Sequence, residues 1–190
     1  MSDTTLLINL SKFGYTKKWF DNGLLTQEEL NKQLEILKIA DDTNTEHYRY
    51  KTLSDFVDSK NNISDSQLFN FLEIAINDID TSMSSSAIVK LLEKDYLTDR
   101  QFERVSTSLT VFGDWTEKVI VRQKLVRRLK VEELTDKLFK ESLVSADKVV
   151  HTILLSLVEH DIDRMEALIR KAANSKIRNQ AVQLWKKNYR

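Results

Sequence analysis

A short pattern returns five times along this 190-residue chain and limits what it can fold into. It reads Leu25-Thr26-Gln27-Glu28-Glu29-Leu30, Ile63-Ser64-Asp65-Ser66-Gln67-Leu68, Leu97-Thr98-Asp99-Arg100-Gln101-Phe102, Leu134-Thr135-Asp136-Lys137-Leu138-Phe139 and Ile162-Asp163-Arg164-Met165-Glu166-Ala167. In each, a Ser, Thr or Asp stands where its oxygen accepts a hydrogen bond from an orphan N–H of a first helical turn. In four of the five, a Glu or Gln three positions on completes a capping box. The apolar residue before the cap pairs with the one five places later as a hydrophobic staple, from Leu25 with Leu30 down to the weaker Ile162 with Ala167. The caps lie 38, 34, 37 and 28 residues apart, too far for a single helix and right for a pair of helices per interval.

We denote the first helix of each pair A and the second B. The A helices carry apolar stripes at three- and four-residue spacing: Leu30, Leu34, Leu37; Leu68, Phe71, Ala75; Phe102, Val105, Leu109; and Met165, Leu168, Ala172. The B helices are expected over 48–59, 84–94, 115–130, 147–160 and 176–188. Breaks at Asp41-Asp42-Thr43-Asn44, Asp80-Thr81-Ser82 and Phe112-Gly113-Asp114 separate A from B with short polar side chains suited to turns and caps. With no proline and only three glycines in the chain, little else interrupts helix. Residues 1–23, including Leu7, Leu10, Phe13, Trp19 and Phe20 among lysines, read as an N-terminal helix capping the first pair, with residues 24–190 forming the repeat array. A membrane-surface amphipathic helix is the other reading of that segment.

The B helices also repeat. Val121-Arg122-Gln123-Lys124-Leu125-Val126 with Leu129 aligns without gaps on Ile177-Arg178-Asn179-Gln180-Ala181-Val182 with Trp185, and Val149, Ile153, Leu154 and Leu157 fall in the same apolar slots. The Ile177-Arg178-x-x-Ala181-x-x-Leu184 run resembles the second helix of a HEAT repeat, although the chain lacks that family's usual proline and its regular Asp in the A–B turn. The resemblance spans about residues 24–188 and implies an all-α, right-handed α-α superhelix of the HEAT or armadillo type, with about five helix pairs and B helices lining one curved surface. It also implies that Arg122 and Arg178 serve the scaffold by pairing with acidic neighbours.

The chain has no cysteine, which removes disulfides and thiolate metal sites and points to a reducing, cytoplasmic setting. Leu6, Leu7 and Ile8 are the longest apolar run near the start, shorter than the roughly 7 to 15 residues of a signal-peptide core. No stretch approaches the about 18 apolar residues of a membrane span. The zero net charge conceals an asymmetry: residues 1–95 hold 10 basic and 16 acidic side chains, and residues 96–190 hold 19 and 13.

Catalytic chemistry finds no foothold. His47, His151 and His160 do not share a helical face, because the nine-residue gap between the last two turns them about 180° apart, so they read as structural or surface histidines. Asn77-Asp78-Ile79-Asp80 lacks the glycine and closing Glu of a calcium loop and reads as a helix end followed by a cap. No cofactor, metal or small-molecule ligand is indicated. Some HEAT-like folds are DNA glycosylases, and in that alternative Asp114-Trp115 and Trp185 would serve; the apolar positions of both tryptophans assign them to the core instead.

The candidate binding residues are the cations Lys118, Lys124, Arg127, Arg128 and Lys130 on one B helix and Lys186 and Lys187 on the last. The leading expectation is a non-catalytic scaffold that binds a protein along its B-helix surface. Nucleic-acid binding through the basic C-terminal half is the alternative, and self-association of acidic half with basic half is a third.

Overall fold

The computed structural model describes residues 3–40 and 44–189, with the side chain of Ala40 excepted. Among the described residues there are twelve α-helices, one 3-10 turn and no strand. They are α1 (Asp3–Ser11), α2 (Lys17–Asp21), α3 (Gln27–Ala40), α4 (Thr45–Asp58), α5 (Asp65–Ile76), α6 (Thr81–Leu92), α7 (Asp99–Leu109), α8 (Trp115–Val131), α9 (Asp136–Val144), α10 (Lys148–Leu157), α11 (Ile162–Lys171) and α12 (Ser175–Tyr189). The A helices are thus α3, α5, α7, α9 and α11, and the B helices α4, α6, α8, α10 and α12. The 1–23 segment forms two short helices rather than one, because the Gly14 turn, at φ +73, interrupts it.

The starts lie where local capping chemistry puts them. Ser64 with Gln67 and Thr98 with Gln101 are complete capping boxes, and Thr26 with Glu29 exchanges the same two bonds at 3.2 and 2.8 Å. Thr135 caps α9 by accepting from the Leu138 N–H. The fifth cap is displaced: Asp161, not Asp163, takes the extended conformation and accepts from the Arg164 N–H. With the cap at Asp161, the Ile162–Ala167 staple does not form; Ile162 is exposed and Met165 and Leu168 turn inward. Most of the Asp41-Asp42-Thr43-Asn44 break lies outside the described residues, and Asn44 precedes α4. Asp80 caps α6 by accepting from the Met83 N–H at 2.9 Å.

The chain divides into two compact units, Met1–Thr116 and Glu117–Arg190. Inside each, helices contact their own kind as well as helices of the other kind. In the first, α4 packs on α6 and α5 on α7, while α6 also packs on α5 and α7. In the second, α9 packs on α11 and α10 on α12, with α9–α10 and α11–α12 closing the pairs. Packed in this way the helices remove Leu68, Phe71, Ile88 and Val105 from water in one unit, and Leu138, Val150, Leu154 and Leu168 in the other.

The N-terminal helices close one side of the first unit, with α1 packed on α3 and Leu10, Phe13, Tyr15 and Trp19 buried. The Tyr15 hydroxyl lies 3.0 Å from Gln33 Oε1 and 2.8 Å from Thr52 Oγ1, and Gln33 donates to Thr52 at 3.1 Å, a buried polar triangle joining this segment to α3 and α4. The second unit has its own tie. His151 is fully buried; its Nδ1 accepts from the Ala173 N–H at 3.0 Å, which leaves Nε2 as the protonated nitrogen donating to Leu143 O at 3.1 Å.

Candidate interaction surfaces

The unit boundary sharpens the charge asymmetry of the sequence. Residues 1–116 hold 12 basic and 19 acidic side chains and residues 117–190 hold 17 and 10, net −7 and +7. All seven candidate cations belong to the basic unit, and helix geometry scatters them within it. Lys124 and Arg128 share one face of α8 with Val121 and Leu125, at the i, i+3, i+4, i+7 spacing, and together these four line a groove of about 670 Å³ against α9. Lys187 lines a second groove of about 360 Å³ between α10 and α12, with Leu155, Gln180, Gln183 and Leu184. Lys130 stands nine residues from Val121 and points to the opposite side of α8. Lys118 and Lys186 are exposed outside both grooves, and Arg127 is half-buried. Of the seven, Lys124 and Arg128 thus share one groove and Lys187 lines another.

Several cations are already engaged. Arg128 Nη1 lies 2.5 Å from Glu141 Oε2, its Nε lies 3.2 Å from Glu132 Oε1, and the Glu141 hydrogen bond is the main reason that its guanidinium is held still more firmly in the charged form. Arg122, Lys124, Arg127 and Lys130 each have an intramolecular interaction too. Arg164 donates to Leu134 O and pairs with Asp136 at 2.7 Å, which lowers the Asp136 pKa and ties α11 to the start of α9.

Two assignments of apolar residues to the core are corrected. Val149 and Leu157, placed by the repeat alignment in core slots, are each 45% exposed. With half-buried Ile153 between them they form an aliphatic stripe along α10 at four-residue spacing, while Val150 and Leu154 take the core. Trp115 is 47% exposed rather than core, its indole N–H donating to Phe112 O at the end of the 3-10 turn. Trp185 packs against the core of the basic unit, and Asp114 is exposed.

The remaining chemistry candidates resolve structurally. Asn77 ends α5, Asp78 pairs with Arg49 and Asp80 caps α6, so the acidic run is a helix end followed by a cap. His47 and His160 are exposed. Among the described residues no group of three His, Cys, Asp or Glu side chains is placed to hold a metal ion, and no helix is long and apolar enough to cross a membrane. No protein-family model, curated protein or solved structure matches the chain.

Proposed function

We propose that this chain is a non-catalytic helical-repeat scaffold, a HEAT-like right-handed superhelix whose B-helix surface binds another protein in the cytoplasm. The observation that carries this reading is on α10: Val149 and Leu157, each 45% exposed, lie on a B helix whose core-facing side is already filled by Val150 and Leu154, with Ile153 between them packed partly against the core. Aliphatic side chains left open at regular spacing on a packed helix suit the groove or helix face of a protein ligand. A–A and B–B packing within each unit, at the intervals set by the caps, supports the superhelical reading. The spread of the cations around α8 and the internal engagement of Lys124, Arg127, Arg128 and Lys130 favour a protein ligand over a nucleic-acid backbone, which asks for several phosphate contacts along one track.

A photo-crosslinking amino acid placed at Leu157, on the B side, and at Phe69, 50% exposed on A helix α5, tests the reading. Protein adducts from position 157 and few from position 69, in extract of the native cell, are expected. Equal adducts from both sites, or nucleic acid as the main adduct at 157, would count against it.

A further inference from the structure

Glycine follows asparagine once in the chain, at Asn22-Gly23. The pair ends α2 in a Schellman turn: Gly23 stands in the left-handed region at φ +69, its N–H donates to Phe20 O at 3.0 Å, and the Leu24 N–H donates to Trp19 O at 3.0 Å. The turn carries the chain from buried Trp19 to buried Leu24 and Leu25, just before the Thr26 cap. Its reactive groups are open. Gly23 is exposed, and a Cβ built there would meet nothing within 4 Å. The Asn22 side chain is half-buried and has no hydrogen-bond partner among the described residues. By contrast, Asn77 donates to Glu73 O at 2.7 Å, Asn174 accepts from the Ile177 N–H at 2.9 Å and Asn188 donates to Glu159 O at 3.1 Å, and each precedes a residue that has a side chain.

From this arrangement we infer that Asn22 is a self-modification site, where the Gly23 backbone nitrogen converts the side-chain amide to a carboxylate and so loosens the end of α2. The Gly23 nitrogen, its proton taken by hydroxide, attacks Asn22 Cγ. A C–N bond forms, the Cγ–Nδ2 bond breaks, and the departing nitrogen takes a proton from water and leaves as ammonia. Water then opens the cyclic imide at one of its two carbonyls. One opening gives aspartate at position 22; the other gives isoaspartate, whose backbone runs through the former side chain. Glycine favours the attack because no Cβ crowds the nitrogen. From its ψ of 2 the Asn22 carbonyl must rotate before the nitrogen reaches Cγ, so the reaction passes through the opened turn. With five residues, α2 has little helix of its own to hold that turn closed. Either product adds a negative charge to the acidic unit. Isoaspartate also inserts a methylene into the backbone between the turn's acceptors, Trp19 O and Phe20 O, and its donors, the Gly23 and Leu24 N–H groups. The spacing of the turn is then lost, and with it the anchoring of Trp19. Modification at Asn22 is independent of the ligand surfaces on the B helices.

The test is incubation of the full wild-type chain at neutral and at mildly alkaline pH in water enriched in heavy oxygen, followed by peptide mapping with mass spectrometry. Asn22 should convert about tenfold or more faster than Asn174, which precedes a serine. Its conversion should quicken with pH, and the products should carry the heavy oxygen and include isoaspartate as well as aspartate. Asn22→Gln, whose longer side chain has to close a larger ring, should stay unmodified at position 22. Hydrogen exchange at Leu24 and Leu25 should be faster in the separated isoaspartate form than in the unmodified chain or in Asn22→Asp, which keeps the backbone length. Conversion at Asn22 no faster than at Asn174, or aspartate formed without isoaspartate, would overturn the site. An isoaspartate form whose amides at Leu24 and Leu25 exchange as slowly as those of the unmodified chain would overturn the loosening of α2.

Discussion

Arg49 on α4 meets Asp78 between α5 and α6 through Nε at 2.9 and 3.2 Å from the two carboxylate oxygens, and each side chain is 3% exposed. The same guanidinium donates from Nη1 to Phe13 O at 2.7 Å, and Asp78 Oδ1 accepts from the Asp80 N–H at 2.7 Å. One buried pair therefore holds the N-terminal segment, the first B helix and the turn that starts the second. Gly14 lies under it: a Cβ there would stand 3.0 Å from Arg49 Nη1, at a backbone angle of φ +73 that already disfavours a side chain.

Removing one member leaves the other charge buried without its partner. Asp78→Ala is expected to destabilise the acidic unit by about 3–5 kcal/mol, and Arg49→Met with Asp78→Leu together to recover much of that loss, because the pair's desolvation cost goes with it. Urea unfolding of the single and double variants, with hydrogen exchange at residues 13–19 as the local reporter, checks this. A single variant as stable as the wild type would contradict it.

Tyr15 gives the acidic unit an alkaline limit. Burial pushes its phenol from the ordinary 10 up to about 12, against the opposing hydrogen bonds of Thr52 and Gln33. The folded phenol keeps its proton where the unfolded one has lost it, so this contribution is complete below pH 10 and is lost as pH rises from about 10 to about 12, of order 2 kcal/mol in all. Tyr15→Phe should flatten that part of a stability-against-pH curve while costing about 1 kcal/mol at neutral pH. Parallel curves for the two proteins over that range would refute the assignment.

His151 does for the basic unit what Arg49 does for the acidic one. His151→Phe keeps the ring volume and abandons the Ala173 N–H and Leu143 carbonyl, so a loss of about 2–4 kcal/mol is expected, with faster amide exchange at Ala173. Unchanged exchange at Ala173 would show that the ring is only filler.

The helix starts were legible because capping is local: Thr26, Ser64, Thr98 and Thr135 and their turns lie within six residues of sequence. The last start was misplaced by two residues because Asp161 and Asp163 are equally able to cap, and only the inward turn of Met165 and Leu168 distinguishes them. The candidate surface was less legible. Lys124, Arg128 and Lys187 could be named from charge, but the groove each lines depends on how α8 and α12 are rotated against their neighbours, which periodicity alone does not fix. For the same reason Val121, Val149 and Leu157 resemble core residues in sequence and emerge as surface, while Ile177, in the slot of Val121 and Val149, and Leu129, in the slot of Leu157, are buried.

Binding of protein by the B-helix surface is measured directly by affinity capture from nuclease-treated extract of the native cell with the wild-type chain and with Val149→Asp/Leu157→Asp, at about 50 and 200 mM salt, a range over which phosphate binding falls steeply. A defined protein is expected to be retained by the wild type at both salt levels and lost with the variant, whose fold is unchanged because both positions are half-exposed. Equal retention by the two chains, or retention that disappears on nuclease treatment, would contradict it.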